Sequence, residues 1–187
     1  MEKIKLVNYC KAQLGAIGEH LVAVNLLAQG WDAILANMSI SNVMRYDIVC
    51  VDPKTSMTKL IQVKTSVEKN IPIGFRLKNA KTVVLEEKIV GPWVFVYLEK
   101  VSVCEYVPHY YVLSRSQMIR LANDSNDWYM NKWKASYRKK PVCPENVCGI
   151  SVKWLKGEGE DDNDRHFAFN NPLPDTSENQ WSKIWED

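Results

Sequence analysis

No run of about eighteen apolar residues occurs anywhere in the 187-residue chain, so a membrane-spanning helix is not expected. A charged, then apolar, then small-residue leader is also missing from the amino terminus, which makes a cytoplasmic protein the expectation. An even set of cysteines is lacking too. The five, at positions 10, 50, 104, 143 and 148, are odd in number and unpatterned, which favours reduced thiols over a disulfide framework. Cys143 and Cys148 have neither tight CxxC spacing nor a second ligand pair, which argues against zinc and leaves His109 and His166 as structural or surface residues. There are no internal repeats, and the only linker-like break is Asn123 to Asp127. Nor is there a large excess of charge, the net being +2. What is present, 46% hydrophobic and 25% charged residues, suits one globular domain with a sizeable core.

The most informative stretch runs from Arg45 to Thr65. RYDIVCV and KLIQVKT read as strands around the turn-forming run Asp52-Pro53-Lys54-Thr55-Ser56, with proline where a type I turn accepts it. A turn centred between Lys54 and Thr55 pairs residues whose numbers add to about 109, and so predicts Asp47 opposite Gln62. Alternation along the strand puts Lys64 on the same face as Gln62, with Ile61 and Val63 on the other.

Upstream, Lys11 to Gln29 has helical length and a stop at Gly30. Leu14, Ile17, Leu21 and Val24 form one apolar stripe, read as ordinary core. Glu19 lies on a second stripe with Val22, Ala23 and Leu26, so it is not expected to be freely solvated. Its candidate partners are a metal ion shared with Asp47, a salt bridge to Lys64 or Arg45, or simple exposure at the helix rim.

GAIGEHLVAVNLLAQGW, YDIVCVD and LIQVKTS together resemble the catalytic core of the PD-(D/E)XK nuclease superfamily, over residues 10–66. In that superfamily a helix supplies an acid, a strand start supplies an aspartate, and the next strand supplies an acid or glutamine two positions before a lysine. Glu19, Asp47, Gln62 and Lys64 match in order, in the QxK form similar to a group I intron homing endonuclease. Tyr46 stands where the superfamily's proline would be, and Gln62 offers a neutral amide oxygen where many relatives have a carboxylate. The resemblance implies a restriction endonuclease-like α/β (α+β) fold, a mixed sheet flanked by helices, with the catalytic core at about 10–114 and an elaboration at about 115–187 of a single domain. It further implies a metal-dependent endonuclease acting on DNA as a homodimer. Mg²⁺ (or Mn²⁺) would be held by Asp47, the Gln62 amide oxygen, the Val63 carbonyl and Glu19, directly or through water, while Lys64 would act on the attacking water. The reading from a different class is a nuclease-like module that binds nucleic acid or a protein partner without cutting.

Two basic stretches are candidates for phosphate contact. Arg76, Lys78 and Lys81 surround Phe75 just after the catalytic strand. Further on, Trp128, Tyr129, Trp133 and Tyr137 are interleaved with Lys132, Lys134, Arg138, Lys139 and Lys140, which suits either base stacking or an amphipathic helix with its aromatics buried. The acidic run at 157–164 reads as a surface loop. Among scaffold elements, 91–99 and 109–114 read as strands joined through Pro108, Ser114 as the cap of a helix reaching about Ala122, and GISVKWL as a strand. Ser177 and Gln180 form a capping box for a last helix with Trp181, Ile184 and Trp185 inward.

Overall fold

The turn after Val51 is built by Asp52, whose carboxylate accepts from the Lys54 backbone N–H at 2.9 Å and the Thr55 hydroxyl at 2.8 Å. Those two bonds hold its carboxyl below the ordinary aspartate value. The turn joins β3 (Ile48–Val51) to β4 (Thr58–Ser66), paired antiparallel with Ile48 opposite Ile61 and Val51 opposite Thr58. This is the register expected from the turn.

A computed structural model describes residues 3–36, 46–76, 86–129, 147–163, 167–173 and 175–187. Around β3–β4 it assembles a six-stranded mixed sheet in the order β1-β7-β6-β4-β3-β2, with β1 at Ile4–Lys5, β2 at Asp32–Leu35, β6 at Trp93–Lys100 and β7 at Glu105–Leu113. Among the described residues, only β4 and β6 of this sheet run parallel. The expected class, a mixed sheet flanked by helices, is the one observed.

The two sheet faces bury different partners. Ile61, Val63, Val94 and Val96 pack with Val22 and Leu26 of α1 (Lys11–Ala28). Trp93, Phe95, Tyr97, Tyr111 and Leu113 instead pack under the antiparallel pair β5 (Asn70–Arg76) and β8 (Val147–Ser151), with α2 (Arg115–Asp127) and α3 (Val152–Leu155).

The stripe Leu14, Ile17, Leu21 and Val24 is not the core face of α1. Leu14 is buried, but Ile17 and Leu21 are half-buried and Val24 is 63% exposed. The buried row is Leu14, Gly18, Val22, Ala23 and Leu26. Both stripes are apolar, so periodicity does not choose between them; Gly18 does, because it lets the helix backbone approach Thr65 of β4. The helix ends as expected, with Gly30 at φ 83° and its N–H donating to the Leu27 carbonyl.

Four other elements differ from expectation. Pro108 lies inside β7, opposite Leu98. Val112 donates to the Ser177 carbonyl and Asn179 to the Tyr110 carbonyl, so even-numbered residues of β7 turn their backbone groups outward, where the missing proline N–H costs no ladder bond. Only the first half of GISVKWL is strand; Ser151 accepts from Lys153 N–H and starts α3. Asn123–Asp127 is no linker but the last turn of α2, because Ser125 is buried and donates to the Gly149 carbonyl. The final helix is a 3₁₀ turn, Trp181–Trp185, preceded by Gln180, whose side chain makes no capping bond, with Trp181 and Ile184 buried and Trp185 half-buried. Ser177 instead donates to the Leu155 carbonyl. Ser114 does cap α2 through a capping box with Gln117.

Gly91 starts the connection into β6. A Cβ there would fall 2.1 Å from the Leu60 carbonyl oxygen, a backbone atom with no rotamer to escape into. Gly91→Ala should therefore lose about 1–3 kcal/mol, read as a lower chemical-denaturation midpoint with unchanged slope.

Among the described residues no helix is long and apolar enough to cross a membrane. Cys10, Cys50, Cys104 and Cys148 are free thiols. Burial pushes Cys50 up to about 12 and Cys148 up to about 11, so neither is a reactive thiolate.

Candidate active site

Asp47 precedes β3 by one residue, just beyond the end of the ladder, and is held by two backbone bonds: its N–H donates to the Ile61 carbonyl and its carbonyl accepts from Ala36, both at 2.8 Å. This fixes the side chain against β4, where it is 8% exposed. A carboxylate so deep in the fold requires donors. Asp47 Oδ2 accepts from the Val63 N–H at 2.7 Å and from the Gln62 amide nitrogen. Gln62 Nε2 also lies 3.4 Å from the Val63 carbonyl oxygen. Three oxygen-bearing groups, the Asp47 carboxylate, the Gln62 amide and the Val63 carbonyl, thus converge at the start of the hairpin.

The parallel pairing of β4 with β6 sets Gln62 beside Trp93 and Lys64 beside Phe95. Neighbours in register share a sheet face, so Gln62 and Lys64 lie on the face of Trp93 and Phe95, opposite α1. Lys64 is half-buried with its ammonium 5.6 Å from the Trp93 ring centroid, within cation–π range. Val63 turns its side chain into the α1 core, so only its backbone is available to the site.

Glu19 belongs to α1 and is half-buried, one residue beyond the Gly18–Thr65 contact. Its helix packs on the sheet face opposite that of Gln62 and Lys64, so of the four side chains it alone comes from that side. Among the described residues no three His, Cys, Asp or Glu side chains gather as a metal cluster. The group at Asp47 is of another kind, one carboxylate and the Val63 carbonyl, bridged by the Gln62 amide nitrogen, and the two oxygens are of the type that suits a hard divalent cation.

Of the expected nucleic-acid contacts, Lys78, Lys81, Lys132, Lys134 and Arg138, and the side chain of Arg76, lie outside the described residues, as do Trp133 and Tyr137. Trp128 and Tyr129 are within them and follow the buried reading. Trp128 is 5% exposed, meets Trp154 and Phe169 edge-on, and donates through Nε1 to the Phe167 carbonyl at 2.9 Å.

Two features escape a reading of sequence alone. Trp93 comes under Lys64 only through the parallel β4–β6 register, which no local pattern announces. His109 lies between Glu178, at 2.8 Å from Nδ1, and Glu99, at 3.0 Å from Nε2, an arrangement made by β6, β7 and the carboxy-terminal segment together.

No protein-family model matches the chain, and no curated protein does. Among solved structures, it is similar to the bacterial homing endonuclease I-Ssp6803I at 14% identity and a TM-score of 0.42, over 60% of this chain and 74% of that one.

Proposed function

We propose that the chain is a divalent-metal-dependent endonuclease of the PD-(D/E)XK type, hydrolysing phosphodiester bonds in DNA as a homodimer, each protomer cutting one strand. The observation that supports it most is the side-chain bond from Gln62 to Asp47 at the end of the hairpin, with Lys64 on the same face as Gln62. That is the order of groups phosphodiester hydrolysis needs: oxygen ligands first, then a cationic donor beside them.

Asp47 would be the central anchor for Mg²⁺ or Mn²⁺, with the Val63 carbonyl and the Gln62 side chain beside it, and Glu19, carried by α1 on the opposite sheet face, would bind directly or through water. When bound, the cation supplies positive charge near the phosphorus and makes its water a stronger nucleophile. The Gln62 amide has to turn its oxygen toward the cation, because its nitrogen now donates to Asp47. Lys64 orients the attacking water and donates to charge developing on the phosphoryl oxygens. Trp93 restrains the Lys64 ammonium from the side, a positioning role.

One observation favours a second reading, a nucleic-acid-binding module that does not cut: the Gln62 amide turns its nitrogen, not its oxygen, toward Asp47. The two readings separate in a cleavage assay on supercoiled, linear and single-stranded DNA with Mg²⁺, Mn²⁺ or EDTA. The enzyme nicks only with metal; the module binds equally well in EDTA and never nicks. Lys64→Ala is expected to reduce single-turnover nicking by about 10²–10⁴-fold while leaving Mn²⁺ affinity unchanged. Full-rate cleavage by that variant would remove Lys64 from the chemistry.

A further inference from the structure

At the far end of β4 and β6, on the sheet face that carries Gln62 and Lys64, a cavity of about 360 Å³ opens beside β8 and α3. Its volume falls at the lower end of the small-ligand range. Tyr97, Tyr111 and Ser151 line its interior, and Lys69, Lys153 and Lys156 line it from the surface side. Gln62 to Ser66, which pairs with Tyr97, spans four residues of strand, so the cavity lies roughly 13 Å from the Asp47 site along β4.

Tyr111 has no exposed surface, yet its hydroxyl has no hydrogen-bond partner. Buried hydroxyls are normally satisfied, and this one belongs to the wall of a cavity. Burial, reinforced by Glu178 and Glu99, pushes its ionisation up, so it remains a proton donor. Ser151 Oγ accepts from the Lys153 N–H at 3.3 Å, which leaves its own proton to give.

The charges around the cavity are unevenly committed. Glu99 and Glu178 both bond to His109, and Glu160 pairs with Lys153 at 3.7 Å. Among the described residues, Lys69 and Lys156 have no ion pair, and Glu158 is the remaining carboxylate of the lining. Two hydroxyl-bearing residues, Tyr111 and Ser151, and two lysines without an ion pair thus line one space, the Tyr111 hydroxyl lying just beneath its surface. A carboxylate has two oxygens for these four donors, whereas a phosphate ester offers about three strong acceptor oxygens and up to two charges.

We propose that this cavity is a phosphate-binding site, distinct from Asp47, in which the Tyr111 and Ser151 hydroxyls and the Lys69 and Lys156 ammonium groups hold one phosphate group. The site does not depend on cleavage at Asp47. Its phosphate comes either from a small phosphorylated molecule or from a nucleic-acid backbone passing that end of the sheet.

The test is an amide-shift titration of the full chain in EDTA, with inorganic phosphate in one arm and a short DNA duplex in the other, following Lys69, Ser151 and Lys153. Saturable shifts there are expected, weakened about tenfold in Tyr111→Phe. That variant should fold normally, since the hydroxyl has no partner to lose. Lys69→Ala with Lys156→Ala should weaken them as well. Shifts with phosphate identify a small-ligand site; shifts with the duplex alone, still weakened by Tyr111→Phe, identify a backbone phosphate. No shifts in either arm, or shifts indifferent to both variants, overturn the proposal. Because EDTA suppresses cleavage, failure here is distinguishable from failure of the nuclease reading.

Discussion

If the chain is the proposed nuclease, Asp47→Asn is expected to reduce metal-dependent DNA nicking by at least about a thousandfold. Asparagine keeps the shape of the side chain and an oxygen to accept from the Val63 N–H, so the hairpin contact survives. What is lost is the negative charge, the main electrostatic attraction for a divalent cation at the hairpin. Asp47→Ala is a poorer probe. It leaves the Val63 N–H and the Gln62 amide without their acceptor in a part-buried site, at a cost of about 1–3 kcal/mol, and so confounds activity with stability. The measurement is nicking of supercoiled DNA across a Mg²⁺ series, paired with thermal melts with and without metal. Wild-type rates in the asparagine variant would refute the assignment of Asp47. A variant that neither cuts nor gains stability from Mg²⁺, beside a wild type that does both, would locate the metal at this residue.

Gly18→Ala is expected to destabilise the protein by about 1–3 kcal/mol, a fall in melting temperature of roughly 3–10 °C for a chain of this size. A Cβ at position 18 would come within 1.7 Å of Thr65 Oγ1 and 2.8 Å of Thr65 Cβ. Either the threonine rotates in a packed interior or α1 lifts away from β4. Thr65→Ala alone should cost little polar stabilisation, because its buried hydroxyl has no hydrogen-bond partner. It should also rescue part of the Gly18→Ala loss, leaving the 2.8 Å Cβ contact unrelieved. A double-mutant cycle reads this directly: a stabilising coupling between the two changes supports the contact, and strict additivity dismisses it. Glu19 follows Gly18 on the helix, so lifting α1 should also lower cleavage by more than the unfolded fraction accounts for.

The two variants bear on different kinds of information. The hairpin was legible from residues alone, because the Asp52-to-Ser56 turn and period-two alternation are local, and a turn centre determines every pair above it. The capping of α2 by Ser114 and Gln117, and the stop of α1 at Gly30, are equally local. Asn123–Asp127 misled because its polar composition is that of a linker, while the contact that makes it helix, Ser125 to the Gly149 carbonyl, spans 24 residues. Pro108 misled for a similar reason: whether a proline breaks a strand depends on which way its nitrogen faces, and that is set by the neighbouring segment at Ser177 to Asn179.

Sequence by itself determined the turn, the register from Ile48–Ile61 to Val51–Thr58, and the shared face of Gln62 and Lys64. Each follows from interactions between residues close in the chain or from strict alternation. Tertiary structure alone decided which stripe of α1 is buried, that Trp93 lies beside Lys64, and that α1 brings Glu19 to the face opposite Gln62. It also decided that Tyr111 lines a cavity and that its buried hydroxyl has no hydrogen-bond partner. These are matters of close approach between segments remote in sequence, where a missing Cβ at Gly18 or a parallel crossover between β4 and β6 selects one packing among several that the apolar pattern permits equally.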